Sequence, residues 1–339
     1  MLIYIFYKIG EVIDVQLKEI SFEIIQRCPN NCIYCSSNSS CQSKHIINYD
    51  VFKRTVDDAI NLGLERICIS GGEPFLHPDI VDIVQYCKKN GLEVFIYTSG
   101  IIFNCRGSYD NISMTILEEL GNIGLDRIIF NVQSSDEKIY NSIMRTENCF
   151  NLMKSSIRNS VKANLFCEIH FVPMRLNYKM IYSMLDMAKE LGVHKVSFLR
   201  LVIQGRALKN KMMVELPKDI NYNIKIILSS IEKGYNDIDV RIGIPLSTNS
   251  NYSCNASSSK LIIRYDGAVF PCEAFKYISA IDGERVVKPD NIYTSSLRTI
   301  YHDSEFLNII RTEIKEFRNQ KVICESCPAQ WRLTKILNQ

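Results

Sequence analysis

The sequence predicts an α/β protein: a parallel sheet wound as a partial (βα)6 barrel, followed by a smaller α+β domain. Three observations carry this expectation. Six short β-rich runs alternate with segments of helical periodicity between about residue 20 and residue 210. Several helical segments end at glycine, at Gly63, Gly91 and Gly192, as helix C-termini prefer. After about residue 211 this rhythm is lost. The expected division is therefore residues 1–210 and 211–339 of the 339-residue chain, in line with domains of ~150 residues.

The elements follow in order. Met1–Tyr7 is apolar but is ended by Lys8, and reads as a strand turning near Gly10. It is too short to span a membrane, and it lacks the basic start and cleavage site of a signal peptide. Strands are expected at Ser21–Gln26, Arg66–Ser70, Glu93–Thr98, Arg127–Val132, Phe166–Val172 and Lys195–Leu201. Helices between them are expected at Tyr49–Leu62, Pro78–Lys89, Thr115–Ile123, Cys149–Ser160 and Lys179–Leu191. Beyond residue 211, Pro217–Glu232 reads as a helix and Asn249–Lys260 as a Ser/Asn-rich loop. Leu261–Arg264 and Ala268–Phe270 read as a hairpin about Asp266-Gly267. One long amphipathic helix is expected through Leu297, Ile300, Leu307, Ile310, Ile314 and Phe317.

Composition narrows the function classes. Hydrophobic residues make up 46% and charged residues 23%, as in soluble globular proteins. Forty Lys and Arg against 37 Asp and Glu leave +3, which gives no sign of a nucleic-acid partner. No stretch approaches 18 uncharged apolar residues, so no membrane partner is expected. Thirteen cysteines without a secretion signal argue against a disulfide scaffold and for the reducing cytoplasm.

The cysteines fall into groups. Cys28, Cys32 and Cys35 follow the first strand with C-x3-C-x2-C spacing. Three thiolates suit an iron–sulfur cluster with one iron left open; the alternative is a structural zinc with Cys41 or His45 as fourth ligand. The position of the loop, after a barrel strand where catalytic loops lie, favours the cluster. Cys254, Cys272, Cys324 and Cys327 form a second set, enough to close a [4Fe–4S] cluster or a zinc site completely. Cys68, Cys87 and Cys167 read as core residues, whereas Cys41, Cys105 and Cys149 have no assignment.

The C-x3-C-x2-C loop, with Tyr34 before its last cysteine, resembles the cluster motif of the radical S-adenosylmethionine (radical SAM) superfamily. Gly71-Gly72-Glu73-Pro74 looks like that family's GGEP motif, about 40 residues on and again after a strand. Thr98-Ser99-Gly100, Asn131-Val132-Gln133-Ser134 and Gln204-Gly205-Arg206-Ala207 stand where the family has related segments. Cys254-x12-Gly267-x4-Cys272 is similar to the opening of a SPASM domain. Only Ala329–Gln339 follows Cys327-Pro328, and without a cysteine, so the tail resembles the shortened "twitch" form with one auxiliary cluster.

The resemblance implies a TIM-like partial barrel. It implies a three-cysteine [4Fe–4S] cluster that chelates SAM, one four-cysteine auxiliary [4Fe–4S] cluster, and reductive cleavage of SAM to a 5′-deoxyadenosyl radical. A one-electron reductant such as flavodoxin or ferredoxin is the implied partner. Gly71, Gly72, Glu73 and Pro74 are expected at the methionine amino group, with Glu73 as anionic acceptor. Ser99 and Ser134 are expected either at the ribose or carboxylate or as strand-end capping hydroxyls. Arg206 is expected either at the SAM carboxylate or on a surface acid, and His77 as a loop hydrogen-bonding group. Glu168 and His170 are expected on opposite faces of the fifth strand, and no general base is assigned.

Three functions are weighed. The first is a maturase that modifies a peptide or protein side chain, although only about 20 residues precede strand one, too few for a leader-binding domain. The second is a dehydrogenase of a small molecule such as a sugar or aminocyclitol. The third is a zinc-stabilised binding protein without catalysis.

Overall fold

The computed structural model describes residues 16–235, 237–243, 246, 254–319, 327–329 and 332. The expected strand at Met1–Tyr7 and the ligand Cys324 lie outside the described residues.

Alternation of strand and helix is as the sequence predicts. β1 (Glu19–Ile25), α1 (Tyr49–Asn61), β2 (Arg66–Gly71), α2 (Ile80–Lys89) and β3 (Glu93–Thr98) come first. A small hairpin follows, β4 (Ile101–Phe103) with β5 (Tyr109–Asn111), which no sequence pattern announced. Next come α3 (Met114–Ile123), β6 (Arg127–Asn131), α4 (Glu137–Met144), α5 (Phe150–Lys162), β7 (Cys167–Phe171), α6 (Ile181–Glu190) and β8 (Lys195–Phe198). The helix α4 was not expected. It is short, it starts where Asp136 accepts a hydrogen bond from the Ile139 N–H, and it buries Tyr140, Ile143 and Met144 on one face.

The remainder holds α7 (Arg206–Lys209), α8 (Lys211–Val214), α9 (Lys218–Gly234), β9 (Asp239–Ile242), β10 (Lys260–Ile263) and β11 (Val269–Phe270). After these come β12 (Ala280–Asp282), β13 (Arg285–Val287), α10 (Leu297–Asp303) and α11 (Glu305–Asn319). The single long helix expected after residue 297 is thus two. Ser304 has extended backbone, and its hydroxyl oxygen accepts from the Leu307 N–H at 3.1 Å, so it ends α10 and caps α11.

Nine strands make one sheet in the order β11-β10-β1-β2-β3-β6-β7-β8-β9. Every neighbouring pair is parallel except β10 with β11. β9 and β11 are its edges, so among the described residues the barrel is partial, as expected. The expected hairpin is present, but its first strand is also bonded to β1, with Ser21 opposite Ile262. Alternation along each strand separates two environments. On β1, Ile20, Phe22 and Ile24 are buried in the main core under the helices, whereas Glu19, Ser21 and Glu23 turn to the barrel interior.

Candidate active site

The loop after β1 carries Cys28, Cys32 and Cys35. Cys28 is buried and the other two are half-buried. The loop is held from outside itself. The Cys28 N–H donates to Ser40 O at 3.1 Å, and Arg206 Nε donates to Cys32 O at 2.8 Å while its Nη2 donates to Ser39 O at 2.7 Å. No surface acid pairs with Arg206 among the described residues: it grips the cysteine loop by its carbonyls. Gly205 makes this approach possible. Its φ is +57°, and a Cβ there would lie 2.7 Å from Cys35 O.

Electrostatics at the thiols run against free thiolates. Burial, then the neighbouring Cys35, push Cys32 up to about 12, while Arg206 pulls the other way. Burial and Cys32 likewise raise Cys28, against a hydrogen bond from the Asn30 backbone. The Asn30 side-chain amide is buried in this loop with neither its oxygen nor its nitrogen partnered. Cys41 and His45, the alternative fourth ligands, are exposed. Among the described residues no three Cys, His, Asp or Glu side chains close around a single ion.

The Gly71–Pro74 segment leaves β2 against the end of β1. A Cβ at Gly71 would meet Ile25 O at 2.2 Å, and one at Gly72 would meet Arg27 O at 2.1 Å, so both glycines are needed for this crossing. Glu73 does not face the open space as expected. Its carboxylate is fully buried and accepts from Thr98 Oγ1 at 2.7 Å, Ser99 Oγ at 2.6 Å, the Ser99 N–H at 2.8 Å and the Phe75 N–H at 3.3 Å. Burial raises the Glu73 carboxyl above its ordinary value, and these donors oppose the rise. Glu73 and Ser99 therefore lock the ends of β2 and β3 together, and Pro74 opens a buried helical turn behind them. Ser134 takes the capping alternative: its Oγ donates to Asp136 O and accepts the Asp136 N–H, both at 2.9 Å. His77 bonds Ile47 O and the Asp79 N–H, as a loop residue should.

What these elements surround is one cavity of about 980 Å³. Gly71 and Gly72 line it, as do Tyr34, Ser36 and Ser37 from the cysteine loop. Cys254, Cys272 and Cys327 line it too, so three of the four cysteines of the second set converge on the chamber that the glycine motif faces. Burial raises the Cys272 thiol, and neighbouring Glu273 and Cys327 raise it further.

Two side-chain groups in this wall were not assigned from sequence. Lys276 Nζ, almost wholly buried, lies 2.7 Å from Glu23 Oε1, 2.7 Å from Ser37 Oγ and 3.0 Å from Ser36 Oγ. It clamps the loop after Cys35 to the loop after Cys272. The second group is Glu168 with His170. They share a face rather than opposing one, because residues two apart on a strand point the same way, and His170 Nε2 is 2.9 Å from Glu168 Oε1.

Comparison with known proteins agrees with this fold. The PqqA peptide cyclase of Ruegeria pomeroyi is 25% identical over 295 residues, covering 85% of this chain and 75% of its own. The AdoMet-dependent heme synthase of Methanosarcina barkeri is 23% identical over 90% of this chain and 88% of its own. The structure of Streptococcus suis SuiB bound to precursor peptide SuiA superposes with a TM-score of 0.71 at 17% identity, over 88% of this chain and 67% of that one. Residues 254–328 match the SPASM iron–sulfur cluster-binding domain. Residues 22–210 match the Radical SAM superfamily, and the chain is a member of it.

Proposed function

We propose that this radical SAM enzyme is a maturase that modifies a side chain of a peptide or protein. The observation that carries this is the shared cavity. It is bordered at once by the glycine motif and by the auxiliary cysteines, and ~1,000 Å³ is the upper end of the range for one small ligand. A cofactor and a substrate segment fit side by side. The names of the similar proteins, a peptide cyclase and an enzyme bound to its precursor peptide, support a peptide. The heme synthase keeps oxidation of a small molecule as the second reading.

The residues fit the implied cofactors. Cys28, Cys32 and Cys35 would hold the first [4Fe–4S] cluster, with the unpartnered Asn30 amide and the Arg206 charge beside it. Cys254, Cys272 and Cys327 with Cys324 would hold the auxiliary cluster. Once bound, with an electron from a flavodoxin- or ferredoxin-like donor, the cluster and SAM supply a radical that abstracts a hydrogen atom. The chain's own part is to keep the loop in place through Arg206 and to admit the ligand backbone-close at Gly71 and Gly72. The domain boundary near residue 210 and a cytoplasmic location belong to the same reading. No helix among the described residues is long and apolar enough to cross a membrane.

The test is iron and sulfide counting on anaerobically reconstituted protein, followed by incubation with SAM, dithionite and, in turn, each short peptide encoded by the DNA flanking the gene. Wild type should hold about eight irons, and the Cys28/Cys32/Cys35→Ala variant about four. The peptide should lose two hydrogens. A colourless, zinc-only protein would refute the radical reading. An unchanged peptide together with an oxidised small molecule would select the second reading.

A further inference from the structure

Glu168 and His170 form a dyad, its ring in the cavity wall, that radical generation does not use. The Glu168 carboxylate accepts from Ser197 Oγ and Arg127 Nη1, each at 2.5 Å, as well as meeting His170. Burial acts to raise its carboxyl, but the hydrogen bonds from His170, Ser197 and Arg127 outweigh this and bring it to about 2. An ionised carboxylate only accepts, so the proton between the two sits on His170 Nε2 and leaves the lone pair on Nδ1. No partner meets Nδ1 among the described residues. The ring itself lines the cavity, next to Asn131 in register on β6 and edge-on to Tyr97 at 5.3 Å.

The charges around the ring come from every strand packed against it: Glu168 on β7, Arg127 on β6 and Arg241 on β9, with Tyr97 on β3 and Ser197 on β8. Burial lowers the His170 imidazole and the two guanidiniums add to this, more than Glu168 raises it. This direction favours the uncharged ring, the form in which Nδ1 can accept a proton. The dyad also stands near the C-terminal end of a barrel strand, where barrel enzymes place their chemistry.

We propose that His170, through Nδ1, is the catalytic proton acceptor in oxidation of the substrate, with Glu168 as its positioning residue; this rests on the radical-enzyme reading above. Removal of a hydrogen atom leaves a carbon-centred radical on the substrate. That radical gives up one electron to a one-electron acceptor of the iron–sulfur class, and the substrate's second hydrogen leaves as a proton to His170. The substrate loses two hydrogens in all, and the imidazolium formed is neutralised by Glu168.

Two arms test this on the reconstituted holoenzyme. Histidine-selective NMR, with the His170 signal assigned by its loss in His170→Gln, should show a neutral ring protonated on Nε2 at pH 7. A cationic ring, or a proton on Nδ1, overturns the proposal whatever the substrate is. The second arm uses whichever short peptide encoded by the flanking DNA the wild-type enzyme oxidises. In His170→Gln the ratio of oxidised peptide to 5′-deoxyadenosine should fall about 100-fold, the usual scale of general-base catalysis, and added imidazole should restore part of it. In wild type the ratio should drop as pH falls below the ordinary imidazole range. His302→Gln, exposed on α10, should keep the wild-type profile. An unaltered ratio in His170→Gln overturns the proposal. Should wild type leave every such peptide untouched, the peptide reading fails and the NMR arm still decides His170. Glu168 also neutralises Arg127, so the histidine variant rather than a Glu168 variant carries the test.

Discussion

Arg206 shows how much one side chain can do for a cluster it does not ligate. Its two hydrogen bonds to Cys32 O and Ser39 O are charge-assisted, of the kind worth ~1.5–3 kcal/mol each. Arg206→Lys cannot keep both from one fork. It should lower the melting temperature and the iron content together, while protein that retains its cluster binds SAM as wild type does. Weakened SAM binding with full iron would instead assign Arg206 to the ligand. The sequence marked the turn Gln204–Ala207 but not its target, because a guanidinium serves a carboxylate and a carbonyl equally well. Glu73 misled for the opposite reason. Its motif was legible, yet the direction of its side chain depends on Thr98 and Ser99, 25 and 26 residues on. Glu168 and His170 were visible residues placed on the wrong faces; the two-residue period of a strand was sufficient to pair them.

Between elements, one buried tie is the Lys276 clamp from the loop after Cys272 to β1 and the cysteine loop. Both Lys276 and Glu23 are 3% exposed, so removing either partner strands a buried charge. Lys276→Met should cost ~3–5 kcal/mol in urea unfolding, with iron lost from both sites. The double variant Glu23→Gln/Lys276→Met should regain most of the stability. A double variant as unstable as Lys276→Met alone would show that the charge pairing is not what matters. Nothing in the sequence announced this pair: the partners are 253 residues apart, and a lone lysine in a loop is ordinarily a solvated one. The main strands and helices were legible because each carries its own apolar period. The small hairpin of β4 and β5 and the helix α4 are too short to show one.

At the scale of the molecule, the sheet does not respect the change of rhythm at residue 211. β9 lies beside β8, and β10 and β11 lie beyond β1, so the later segment completes both flanks of the earlier one. A fragment ending at residue 210 would leave β1 and β8 as bare parallel edges, open to pairing with other chains. It should aggregate on expression, and a soluble monomeric fragment with an intact first cluster would show that the flanking strands are dispensable. The sequence predicted β10 and β11 as a hairpin but not as part of this sheet, since parallel partners so far apart leave no local signature.

The pairing of β1 with β10 also sets an order in time. The ribosome delivers Cys28, Cys32 and Cys35 well before the strand that covers their neighbour β1, which begins at Lys260, and before the clamp residue Lys276. Contacts of such long range form late in folding. Iron delivered before that point therefore meets a loop that is not yet fastened, and an oxygen-sensitive cofactor is sheltered only once β10 and the clamp are in place.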